Sequence, residues 1–285
     1  MRVWQALTYS NLEELDALAQ AAEQFGYHGV TVGDHWVTAQ EQLEHYLYSD
    51  DGLAPWSADT HWPDAWVQFA ALAKVTRNLQ FMSSVYVLPM RDVFPVAKAV
   101  STAAYISGGR MHLGVGAGWQ QFEFDLVQKP FAKRGRYLDE QLEVLAKLWS
   151  GEMVEHHGEF HDFRPLRMSP RPPAIPIYVG GDSPAALRRA ARHDGWIGAG
   201  YQFAQIEPLL QQLRKEREKT GRGMEDFAVI VACHDLTPDR FGQLRDMGAT
   251  DLIKFCWMEN GKAMIAPTSY KIADLEQFAN TYIRP

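Results

Sequence analysis

Apolar residues recur along this chain in two alternating rhythms. Short runs rich in Val, Ile and Phe, bounded by Gly, Pro or Asp, read as strands, and longer stretches with apolar residues three and four apart read as helices. Runs near Val3, Val30, Phe81, Leu113, Ile177, Ile197, Ile230 and Ile253 make eight strands, and nearly every one is followed by a helical stretch. The helices carry their own punctuation. "NLEELDALAQAAEQFG" opens at Ser10 or Asn11 and stops at Gly26, Asp64 caps "AWVQFAALAKVT", and Gly108 and Gly109 close "DVFPVAKAVSTAAYIS". Strict alternation predicts a wholly parallel sheet, and eight units predict an α/β fold closed into a (β/α)8 TIM barrel, one domain over residues 1–285.

Two segments break the rhythm. Residues 37–63, after strand 2, scatter Tyr46, Tyr48, Trp56, His61 and Trp62 among Ser, Asp, Gly and Pro, which predicts a lid or pocket wall. Residues 151–173, before strand 5, alternate like a hairpin and then turn basic and Pro-rich. Both read as insertions in the barrel.

A parallel barrel binds its ligands outside the carboxyl ends of its strands. Strand 2 ends there on Asp34, His35 and Trp36, strand 3 on Ser83 and Ser84, and strand 4 on Gly114, Gly116 and Gly118. His35 is the leading acid–base candidate, because an imidazole exchanges protons near neutral pH, and Asp34 stands beside it. The three glycines do not fit G-x-G-x-x-G, and Asp139 and Glu140 fall inside a helix, so a dinucleotide fingerprint is not supported. Their missing Cβ atoms would instead let a planar ring or a phosphate approach the main chain. In "VGGDSPAAL", Gly180, Gly181 and Ser183 open a helix, where free N–H groups favour a phosphate. Asp182 is assigned the cap, since an acid facing a phosphate would be unfavourable.

Composition narrows the class. With 46% hydrophobic and 22% charged residues there is material for a large core, and a net charge of −7 argues against a nucleic-acid surface. No apolar run is long enough to span a bilayer and no signal-peptide pattern opens the chain, so a cytoplasmic protein without a membrane partner is expected. Cys233 and Cys256 lack metal or redox spacing and read as reduced thiols. His156, His157 and His161 lie on a hairpin whose neighbours face opposite ways, so no metal site is expected. The absence of G-x-S-x-G leaves nucleophilic hydrolysis without support.

"LQFMSSVYVLPMRDVFPVAKAVSTAAYISGGRMHLGVGAGWQQFEFDLV", "KRGRYLDEQLEVLAKLWSG", "GEFHDF", "PPAIPIYVGGDSPAALRRAARHDGW" and "GDHW" together resemble the bacterial luciferase-like oxidoreductases over nearly the whole chain. "HYLYSDDGLAPWSADTHWPDAWVQFAALAKVT" resembles in particular the subgroup described as F420-dependent. The resemblance implies a barrel that holds FMN or the deazaflavin coenzyme F420 at its C-terminal mouth. It implies a non-prolyl cis peptide at Ser84–Val85 behind the ring, His35 as base or donor near the ring, and Gly180 and Gly181 on the cofactor phosphate. Ser83, Gly114, Gly116, Gly118, Trp119 and Ser183 complete the expected cofactor set, and Trp36, Trp56, His61 and Trp62 the substrate pocket.

One departure stands out. Sugar-phosphate dehydrogenases of the family carry a catalytic Glu directly after the Gly-rich turn, where this chain has Trp119; the nearest acid, Glu123, would need a shift to replace it. The aromatic residues point to an apolar or planar substrate rather than a sugar phosphate. The expectation is therefore F420-dependent hydride transfer on a small molecule by a homodimer. The alternatives are an FMN-dependent monooxygenase served by a separate flavin reductase, and a non-catalytic flavin-binding protein.

Overall fold

The computed structural model describes every residue except Tyr48, Asp50 and Pro285, so the Tyr48 of the aromatic loop lies outside the described residues. Eight strands form the predicted barrel: β1 (Arg2–Ala6), β2 (Gly29–Val32), β3 (Gln80–Ser83), β4 (Met111–Gly116), β5 (Ile177–Gly180), β6 (Gly195–Tyr201), β7 (Ala228–Cys233) and β8 (Asp251–Lys254). All pair in parallel in chain order, and β1 pairs with β8 to close the ring. The helices outside it are α1 (Leu15–Phe25), α2 (Gln40–Glu44), α3 (Ala65–Val75), α4 (Val93–Ser107), α5 (Gln121–Leu126), α6 (Arg134–Trp149), α7 (Pro184–Ala190), α8 (Phe203–Glu218), α9 (Pro238–Asp246) and α10 (Thr268–Tyr282).

Alternate strand residues explain the two cores. Outward residues such as Val30, Phe81 and Leu113 pack under the helices, while Trp4, Met82, Tyr178, Ile197, Ile230 and Ile253 fill the barrel interior. The local signals act as read. Gly26 closes α1 at φ +87°, where a Cβ would be strained, and the Asp64 carboxylate accepts the N–H groups of Trp66 and Val67. No helix among the described residues is long and apolar enough to cross a membrane.

The structure departs from the sequence reading in four places. The apolar run that supplies strand 3 continues past Ser84 to Leu88, yet it is not one strand: β3 ends at Ser83, the chain bulges through a cis peptide at Ser84–Val85, and pairing with β4 resumes at Tyr86–Val87. The helices α2 and α5 leave no mark in the sequence pattern because five or six residues are too few to display a helical period. A two-residue ladder, Met258–Glu259 against Lys262–Ala263, was likewise too short to read. The cap of α7 is Ser183, whose Oγ accepts the Ala186 N–H, and not Asp182.

Both insertions are fastened down. Val154–His157 and Asp162–Leu166 form the predicted antiparallel hairpin, held to α6 by Glu140, whose carboxylate accepts the N–H groups of Glu159, Phe160 and His161. The loop after β2 is tied down by the segment after β8: the Ala263 N–H donates to Pro55 O at 2.7 Å and Lys262 Nζ to Ala54 O at 2.8 Å.

Candidate active site

Beyond β2 the chain turns outward at Asp34, and the side chain leads away from the barrel mouth into an ion pair. Arg91 donates to both Asp34 oxygens at 2.7 Å, and the Val87 N–H adds a third bond at 2.9 Å. The two side chains are only 8% and 5% exposed, and the guanidinium lies 4.3 Å from the Trp36 ring and 4.1 Å from the Tyr86 ring. Burial pushes the Asp34 carboxyl above its ordinary range, with Arg91 and the Val87 N–H pulling against it. Asp34 thus stitches the loop after β2 to the segment after β3.

His35 faces a different carboxylate. Its Nδ1 lies 2.7 Å from Glu123 Oε2, while Glu123 Oε1 accepts the Trp36 N–H at 2.6 Å. Glu123, the nearest acid after Trp119, comes from α5 and reaches His35. Gln42 of α2 brings its amide nitrogen to 3.3 Å from the same Nδ1. The His35 Nε2 has no hydrogen-bond partner among the described residues. Around the imidazole stand the rings of Trp62, Trp56 and Trp119, with centroids at 4.8, 5.3 and 6.1 Å. Tyr9 and Tyr46 extend this wall through their contacts with Trp56.

The four residues expected to line a substrate pocket are not brought together. Trp56 and Trp62 stand beside His35. Trp36 turns outward, 46% exposed, and covers Arg91. His61 leaves the pocket as well, its Nδ1 accepting the Leu12 N–H at 3.2 Å.

The glycines have a use other than the one read from the sequence. A Cβ on Gly114 would lie 1.9 Å from the Ser83 carbonyl oxygen, and Cβ atoms on Gly116 and Gly180 would lie 2.5 and 2.6 Å from the methyl groups of Val85. At Gly118 the obstruction would be Val87, at 2.6 Å. The room left by the missing side chains is filled by the bulge after β3, not left open to a ligand. Ser83 is also internal: its Oγ donates to Gly114 O at 2.9 Å and accepts the Gly114 N–H at 3.1 Å. Open to the mouth are the half-buried Ser84 and Val85, with Val85 seated on the barrel interior beside Ala6 and Phe255. Trp119 and Gly180 are half-buried around them.

The far wall was missed. His234, directly after β7, stacks on Phe255, directly after β8, at 4.5 Å and 5° between planes. The same strand-end rule that singled out His35 would have found both. Beside β5, Gly181, Asp182 and Ser183 are exposed, and the main-chain N–H groups of Asp182 and Ser183 have no protein partner among the described residues. The Asp182 carboxylate accepts a long bond from the Tyr201 hydroxyl at 3.4 Å.

Known proteins share this arrangement of strands. The family model for luciferase-like monooxygenases matches residues 1–237. An uncharacterised protein of Mycobacterium tuberculosis (strain ATCC 25618 / H37Rv) is 36% identical over 268 residues, covering 93% of this chain and 93% of its own. The F420-dependent glucose-6-phosphate dehydrogenase of Microbacterium testaceum (strain StLB037) is 31% identical over 220 residues, 74% of this chain and 65% of its own. The crystal structure of monooxygenase RslO1 from Streptomyces bottropensis superposes with a TM-score of 0.76 at 20% identity, covering 100% of this chain and 99% of its own. The matched region runs from β1 through the His234 turn and so takes in His35, Glu123, the β3 bulge and the α7 turn: the chain belongs to the luciferase-like monooxygenase family of oxidoreductases.

Proposed function

We propose that this oxidoreductase binds coenzyme F420 at the barrel mouth and transfers a hydride to or from a small apolar or aromatic substrate, with His35 moving the accompanying proton. The observation that carries the reading is His35 itself, whose Nε2 is unpartnered while its Nδ1 is held and three indole rings surround it. Similarity to an F420-dependent dehydrogenase supports the choice of cofactor, and the aromatic wall with Trp119 supports an apolar or planar substrate.

The residues present fit the cofactor. Val85 offers an apolar floor at the strand ends, Trp119 a flat wall, and the turn before α7 offers the N–H groups of Asp182 and Ser183, unpartnered among the described residues, for a phosphate. The exposed Asp182 carboxylate works against an anion, so a phosphate there would approach the main-chain side of the turn. Bound F420 would supply two-electron hydride chemistry. The protein would supply the rest: His35 Nε2 accepts or returns the proton, Trp56 and Trp62 exclude water from the imidazole, and the Asp34–Arg91 pair fixes the loop that carries it.

Separate titrations with F420 and FMN, followed by cofactor fluorescence, test this reading. Tighter binding of F420 is expected. Binding of FMN alone would overturn it in favour of an FMN-dependent monooxygenase fed by a separate flavin reductase. His35→Ala should lower turnover by about 10²-fold or more with cofactor affinity retained; unchanged turnover removes His35 from the reaction.

A further inference from the structure

The His35 Nδ1 lies between two neighbours with opposite demands. Glu123 Oε2, at 2.7 Å, requires a proton on Nδ1, whereas the Gln42 amide nitrogen, at 3.3 Å, requires a lone pair. The amide cannot reverse its role cheaply, because Gln42 Oε1 accepts the Ala39 N–H at 2.7 Å and so turns the NH2 group toward the ring. Glu123 is anchored too, its other oxygen receiving the Trp36 N–H at 2.6 Å and its side chain only 2% exposed.

A buried carboxylate facing a nitrogen lone pair at 2.7 Å would lose a charge-assisted hydrogen bond and gain a repulsion. The weaker contact from Gln42 does not offset that. We infer that Glu123 is a positioning residue that keeps the His35 proton on Nδ1 and thereby holds Nε2 as the proton-accepting atom. The opposite tautomer, with Gln42 donating to Nδ1, requires Glu123 to be neutral. The pair of neighbours therefore defines two arrangements of one imidazole, and the charge on Glu123 selects between them. This deepens the reading of His35 as the proton-moving group and rests on it for its catalytic consequence.

The position of the proton is read without cofactor. Protein labelled with ¹⁵N-histidine is examined by long-range proton–nitrogen NMR at a pH where the ring signals are those of a neutral imidazole, with His35→Gln identifying the His35 signals. The expected wild-type spectrum has a protonated Nδ1 and an unprotonated Nε2. In Glu123→Gln, the new amide can keep its oxygen on the Trp36 N–H and must then offer its NH2 to Nδ1, so the proton should move to Nε2. Turnover should fall by about 10²-fold with little change in KM, and Glu123→Asp, which restores the charge, should recover the wild-type tautomer and part of the activity.

A wild-type proton on Nε2, or a Glu123→Gln spectrum identical to wild type, overturns the inference. A tautomer that shifts as expected without loss of turnover upholds the positioning role and sinks the assignment of His35 as the proton-moving group. If Glu123→Gln does not fold, the wild-type spectrum alone decides.

Discussion

Replacing Arg91 by Met should be one of the most damaging single changes outside the reacting groups. The methionine keeps an unbranched stem between the rings of Trp36 and Tyr86 but removes both bonds to Asp34. Asp34 would then hold its charge in a nearly closed site with the Val87 N–H as its remaining partner. Stranding one member of a buried pair costs about 3–5 kcal/mol, a large part of the roughly 5–15 kcal/mol that separates most folded proteins from unfolding. Equilibrium urea denaturation, read by tryptophan fluorescence and circular dichroism, should show that loss as a lower midpoint with an unchanged slope. Adding Asp34→Asn to Arg91→Met removes the stranded charge and should recover much of the deficit. The deficit of the single variant should also shrink as pH falls through the raised Asp34 pKa, because the protonated carboxyl no longer needs a cation. A loss under about 1 kcal/mol, or a double variant no more stable than the single one, would refute the reasoning.

Two further outcomes test other parts of the structure. Burial pushes His28, His112 and His193 down to about 4, so between that value and the ordinary imidazole range the unfolded chain binds protons the folded one does not. Stability is therefore complete above the unfolded pKa and falls as pH drops from about 6.5 toward 4, by up to about 1.4 kcal/mol per pH unit for each histidine; a flat urea midpoint across that window contradicts the burial of these rings. Gly180→Ala would bring a Cβ to 2.6 Å from Val85 and push that side chain into the mouth. With F420 bound as proposed, its affinity should drop roughly tenfold, equivalent to about 1.4 kcal/mol, with circular dichroism unchanged; undiminished affinity would place the cofactor away from Val85.

The barrel was legible because its signals are local. Each strand is a short apolar run between breakers, each helix a periodic stretch, and residues such as Gly26 and Asp64 act on backbone groups within a turn of themselves. His35 was legible for the same reason, since a histidine just past a strand of a parallel barrel stands at the mouth whatever the rest of the chain does.

What the tertiary structure decided is which groups meet. Arg91 reaches Asp34 across 57 residues and Glu123 reaches His35 across 88, and neither pairing leaves a periodic mark in the sequence. The glycines show the limit most clearly. That Gly114, Gly116 and Gly180 leave space at strand ends is readable from the sequence. What occupies the space is not, because the occupants, Ser83 and Val85, belong to a neighbouring strand and arrive there only when β3 pairs with β4 and bulges. By itself the sequence determined the elements and their order, since these depend on contacts a few residues apart. Close packing between distant segments decided that Glu123 rather than Asp34 holds His35, because a carboxylate goes to the donor that the folded chain brings within hydrogen-bonding distance.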